Sequence, residues 1–204
     1  MVAPINQQFC APIPLKLTIV DHHHHANFID VKDVNENIVF HIKDDENVCI
    51  HDRRFLLDAN GDTLVTLQSK LRSVDEMWQV FKGSSKHAKD RLFIAKQQQS
   101  SSPVGSWLER SCTIFTGDSN MVIAQIHKKP KRGWEIDGME YHANDMYMVT
   151  VYPNIDYAFI VALTGILHAI HGDNLKAPEI VNNVVGATGI VGGVLGLVTE
   201  LLEE

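Results

Sequence analysis

The sequence predicts a mainly β fold built around one hydrophobic C-terminal helix. Three observations carry that expectation. Short segments with alternating apolar side chains recur between residues 15 and 153, separated by turn-forming residues. The period then changes at "NIDYAFIVALTGILHAIHG", which is apolar on every face. Its uninterrupted apolar part, Tyr157 to Ile170, spans only ~21 Å as a helix, against ~30 Å of bilayer hydrocarbon. A helix apolar all round and too short to cross a membrane belongs in a protein core.

Taken in order, residues 1–14 carry three prolines and read as an arm. "LKLTIV" (15–20) reads as the first strand, and "DHHHHAN" (21–27) as a polar connector. "NFIDV" and "NIVFHI" form a hairpin across "KDVNE". "RRFLLDANGDTLVTLQ" repeats the pattern, with Asn60 and Gly61 at the turn because both tolerate positive φ. "EMWQVFK" and "RLFIAK" follow, joined by "GSSKHAKD"; "SCTIFTG" and "MVIAQIHK" make a further hairpin. "MYMVTVYP" closes the series of short strands. Spacing leaves sandwich and barrel both open. Asn154 is placed to cap the helix, with Asp156 favouring its positive end, and Gly172 fits the left-handed position after it. Gly165 is expected to admit a neighbouring backbone.

After residue 175 the composition shifts to a Gly-rich apolar tail, uncharged from 180 to 199. Its GxxxG spacings (Gly189/Gly193, Gly192/Gly196) suit close helix packing in a membrane. Its acidic flanks and Asn182 and Asn183 argue instead for a segment docked on the domain or on a partner.

The 204 residues suffice for one domain with a real core. They are 45% hydrophobic and 21% charged, ordinary for a globular protein. A net charge of -7 argues against a chain that works by nonspecific nucleic-acid binding. Three widely spaced cysteines without a CxxC, no secretory-type N-terminus and no Asn-x-Ser/Thr sequon point to a reducing, intracellular setting.

Several ordered strings then stand out: "FCAPIPLKLTIV", "FLLDANGDTLVTLQSKLRSVDEMWQVFKG", "GSWLERSCTIFTGDSNMVIAQIHKK" and "MVTVYPNIDYAFIVALTGIL". They resemble the plant LURP-one-related family over roughly residues 9–172. The resemblance implies a tubby-like fold, similar to tubby proteins and phospholipid scramblases: an antiparallel β-barrel around a central hydrophobic C-terminal helix. It also implies defence or stress roles, membrane or phosphoinositide association, and no catalytic activity. The sequence departs from the family near 97–105, where "RLFIAKQQQSSSP" runs almost directly into "GSW". One or two strands are expected to be lacking there. The domain reading is therefore an arm (1–14), a shortened LURP-one-related domain (15–174) and a tail (175–204), which is a candidate cover for the gap.

The candidate sites are few. Lys128, Lys129, Lys131 and Arg132 cluster around a proline turn and suit an anionic lipid head group. Lys82, Lys86, Lys89 and Arg91 form a second basic turn. Either cluster also reads as a solvated turn, and "KKPKR" resembles a short nuclear-import signal. Tyr157, Phe159, Ile160, Leu163, Ile166 and Leu167 are expected to form the core face of the helix. His22 to His25 invite a metal, but adjacent side chains do not present tetrahedral geometry. "DVNENIVFHIKD" has calcium-loop alternation without the Gly at its sixth position. Cys112 has no nucleophile motif around it and reads as a buried thiol. No metal, cofactor or catalytic residue is expected. The expected partners are a phosphoinositide or membrane surface and a protein, with no specific nucleic-acid signal. The chain is expected in the cytoplasm, with membrane association or nuclear entry as further destinations. The alternative class is scramblase-like lipid handling, with the helix or the 180–199 tail in the membrane.

Overall fold

The computed structural model describes residues 4–22, 28–45, 53–70, 77–97, 111–115, 121–129, 134–136, 139–141, 145–172 and 197–201. The first hairpins comprise β1 (Leu15–Asp21), β2 (Phe28–Lys32), β3 (Ile38–Asp44), β4 (Arg53–Asp58) and β5 (Thr63–Ser69). They continue through β6 (Met77–Lys82), β7 (Arg91–Gln97), β8 (Ser111–Phe115) and β9 (Val122–Lys128). A small separate hairpin, β10 (Trp134–Ile136) with β11 (Met139–Tyr141), was not expected. Then come β12 (Asp145–Val151), the helix α1 (Tyr157–Gly172) and β13 (Leu197–Leu201).

Eleven strands form one sheet in the order β13-β7-β6-β5-β4-β3-β2-β1-β12-β9-β8. All its ladders are antiparallel. The sheet curls around α1 without closing into a barrel. Its two edges are β13, paired to β7, and β8; β7 and β8, consecutive in the chain, share no ladder among the described residues.

Two turns are held by the same device. Asp33 Oδ1 accepts the backbone N–H groups of Asn35 (2.8 Å) and Asn37 (2.9 Å). Asp58 Oδ1 accepts those of Asn60 and Asp62, both at 2.9 Å. Such Asx turns supply hydrogen bonds that the reversing backbone cannot make to itself. Of the pair expected to take positive φ, Gly61 does so, at 88°. Asp33, the first residue of the calcium-like string, is thus occupied in a turn.

Period-2 alternation sends one face of each strand inward, including Leu17 and Ile19 from β1, Phe40 and Ile42 from β3, and Val65 and Leu67 from β5. These meet α1, in which Phe159, Ile160, Leu163, Ile166 and Leu167 are at most 2% exposed. Tyr157, at the helix start, is half-buried and packs edge-on against Phe9 of the arm. Burying each large apolar side chain contributes ~1.5–3 kcal/mol, so enclosure of α1 is the main stabilising event.

Two local expectations are corrected. Asn154 does not cap α1; it sits at φ 60° in the turn before it. Asp156 is the cap, its Oδ1 accepting the Phe159 N–H at 3.0 Å. A cap oxygen must reach the N–H three residues on, which Asp156 can do from one residue before the helix. Gly165 admits side chains, not a backbone. A Cβ there would lie 3.0 Å from Ile42 Cδ1 and 3.4 Å from Leu67 Cδ1.

Alternating strand directions define two ends. The arm, the β2–β3, β4–β5 and β6–β7 turns and the start of α1 share one, the arm end. The final residues of β1, β3, β7, β9 and α1 share the other.

Candidate functional site

At the arm end, Asp156 joins distant parts of the chain. Its Oδ2 accepts the backbone N–H groups of Ile5 (2.8 Å) and Asn6 (2.9 Å), 151 and 150 residues away. The same carboxylate therefore caps α1 and pins the arm across the helix start. Burial nevertheless pushes its carboxyl above the usual value of 3.8, outweighing the backbone N–H groups of Asn6, Phe159 and Ile5 that favour the charged form. Burial and then the neighbouring Asp156 charge push the Cys10 thiol up as well.

At the opposite end, four buried polar side chains form a continuous network. His168 Nε2 lies 2.7 Å from Asp21 Oδ2. His168 Nδ1 lies 3.3 Å from Arg54 Nη1, which also donates to the Gly165 carbonyl at 3.1 Å. Arg54 Nε lies 2.8 Å from Asp44 Oδ1. With arginine as the donor at Nδ1, the neutral imidazole carries its proton on Nε2 and donates it to Asp21. Asp21 and His168 resemble two members of a catalytic triad. However, the second imidazole nitrogen faces the Arg54 guanidinium, a donor, where a triad places a nucleophile. The network instead compensates buried charges and supplies donors near the negative end of α1.

On the outer face, Asp30 is flanked by two histidines: His22 Nε2 at 3.1 Å from Oδ2 and His41 Nδ1 at 2.7 Å from Oδ1. His22 also packs on Phe28, with ring centroids 4.8 Å apart. The first of the four consecutive histidines is thus engaged by the fold; His23 to His25 lie outside the described residues.

Of the four basic residues expected at a head-group site, Lys128 and Lys129 are among the described residues. Lys128 ends β9 in the inward register, its Nζ 5.7 Å from the centroid of the buried Tyr147 ring. Lys129 reaches the outer face, where its Nζ is 3.5 Å from Thr18 Oγ1. Neighbouring charges in sequence therefore serve opposite faces of one rim. Lys131 and Arg132 lie outside the described residues. Lys82, Lys86 and Lys89 are exposed at the arm end, remote from Lys128. Exposed Ile13, Val34 and Met121 share that end. Cys112 lies on β8, and its side chain is outside the description.

Sequence reasoning missed the Asp21, Arg54, Asp44 and His168 network, although the alternation contained it. Arg54 shares a strand face with Leu56, Asp44 with Phe40 and Ile42, and Asp21 with Leu17 and Ile19. Charges at inward positions needed partners at that end, and parity named them.

A mainly β wall that encloses its own C-terminal helix, tied by carboxylates at both helix ends, defines the class of protein. Residues 15–168 match the LURP-one-related family, and the chain belongs to it. Protein LURP-one-related 15 of Arabidopsis thaliana is 34% identical over 197 residues, covering 85% of this chain and 88% of the relative. Protein LURP-one-related 10 of the same plant is 33% identical, covering 85% of this chain and 98% of the relative. The X-ray structure of an Arabidopsis thaliana protein, 32% identical, matches with a TM-score of 0.62 over 87% of this chain.

Proposed function

We propose that this chain is a non-catalytic, tubby-like regulator in plant defence or stress signalling that works by docking its surface on an anionic membrane head group. The observation that carries this reading is the filled interior. α1 occupies the space inside the curled sheet, with Ala158 to Leu163 buried residue after residue, so recognition falls to the outer surface and rims. Lys128 and Lys129 lie at the rim opposite the arm and begin, in sequence, a basic run that includes Lys131 and Arg132; cations near an anionic surface contribute ~1 kcal/mol each. The regulatory role rests on the family relationship. A scramblase-like reading would require a membrane-inserted segment; no helix among the described residues is long and apolar enough to cross a bilayer.

Sedimentation with phosphoinositide-containing and neutral vesicles tests the proposal. Binding should favour the anionic vesicles, weaken with salt, and fall at least ~100-fold when Lys128, Lys129, Lys131 and Arg132 are all replaced by Ala. Replacing Lys82, Lys86 and Lys89 at the opposite end should leave it intact. Equal binding to both vesicle types, or loss only with the second set, removes the head-group site proposed here.

A further inference from the structure

The ten strands of the large sheet that precede α1 have β7 and β8 at their two edges, and an edge strand presents unpaired N–H and C=O groups. On β7 that edge is covered by β13, from the far end of the chain. β13 lies antiparallel in continuous register, from Leu197 opposite Gln97 to Leu201 opposite Phe93. β7 belongs to the wall around the helix: Phe93 is fully buried, its ring 5.0 Å from that of Phe159 in α1, and Ala95 is buried beside it. Connectivity favours the chain's own tail as the covering strand. α1 ends at the rim where β7 ends and β13 begins, so the two elements to be joined share one rim. The 24 residues between them (173–196) suffice in length, a coil of that many residues having an r.m.s. span of ~25–30 Å.

We propose that the β7 edge is a strand-accepting surface whose occupant is this chain's own segment Leu197–Leu201. The tail extends the wall in cis on the side where β7 and β8 do not pair. Main-chain hydrogen bonds provide the attachment, as in other cases of strand addition.

Residue-resolved amide exchange on the full chain tests this first. Successive N–H groups of a strand point to opposite sides, so a strand paired on one side protects alternate amides only. Phe93, Ile94, Ala95 and Lys96 should all be protected, half through β6 and half through β13. Alternation of slow and fast amides there overturns the proposal. The full-length double variant Val198→Pro, Thr199→Pro then removes a ladder donor whichever of the two N–H groups faces β7. Its β7 amides on the β13 side should exchange at least ~10-fold faster. A synthetic peptide of residues 195–204 should restore their protection, while the peptide with both prolines should not. If α1 also loses protection in the variant, the natural peptide must restore that too. Unchanged β7 exchange in the variant, or failure of the natural peptide to restore it, overturns the proposal.

Discussion

Asp156 shows how one side chain can serve two structures. Its two oxygens accept three backbone N–H groups, one in α1 and two in the arm. Asp156→Asn replaces one acceptor with a donor facing those N–H groups, and should cost about 1–3 kcal/mol. Because burial raises the Asp156 pKa, the folded protein keeps this proton over a range in which the unfolded chain has released it. Its favourable contribution is complete below the unfolded value of 3.8 and declines as pH rises through the raised folded value. Urea denaturation should therefore show a larger stability gap between wild type and Asp156→Asn at pH 3.5 than at pH 7. A gap that widens with pH would contradict that sign. The sequence placed a carboxylate at this helix start but misassigned the cap, because both Asn154 and Asp156 are good capping types. The bonds to Ile5 and Asn6, made across the whole length of the domain, leave no local pattern to read.

At the level of elements, the strands were legible because alternation and turn chemistry agree. Asp33 and Asp58 each precede a reversal, and each accepts two backbone N–H groups within it. The three-residue strands β10 and β11 are too short to generate a period, which is why they escaped notice. α1 was legible from its uncharged length, but its fit against the sheet was not. Gly165 lies under Ile42 of β3 and Leu67 of β5, and its carbonyl receives Arg54 of β4. Gly165→Ala gains ~1 kcal/mol of helix propensity while pushing on the flexible end of Ile42, and should stay within ~1 kcal/mol of wild type. Gly165→Val adds two further carbons to that contact and should destabilise by about 1–3 kcal/mol in urea denaturation. A Val variant as stable as the Ala variant would show that the space around Gly165 is larger than described.

For the whole molecule, the curled sheet explains why charges close in sequence separate in space. A strand turns successive side chains to opposite faces, so Lys128 faces the inner rim and Lys129 the outer surface. Antiparallel order sends the 82–91 turn to the other end. Sequence clustering identified basic runs but could not assign their faces, which depend on register around the sheet. The family resemblance anticipated the central helix, and the structure shows the wall around it curled, with β13 added along the β7 edge. This wall buries α1 from Ala158 to Ala169. Amide hydrogen exchange across residues 157–168 measures it most directly. The central amides, Val161 to Leu167, should exchange only with global unfolding and show the full unfolding free energy. Exchange of those amides at rates close to those of an unprotected peptide would mean an open, solvent-exposed helix, and would contradict it.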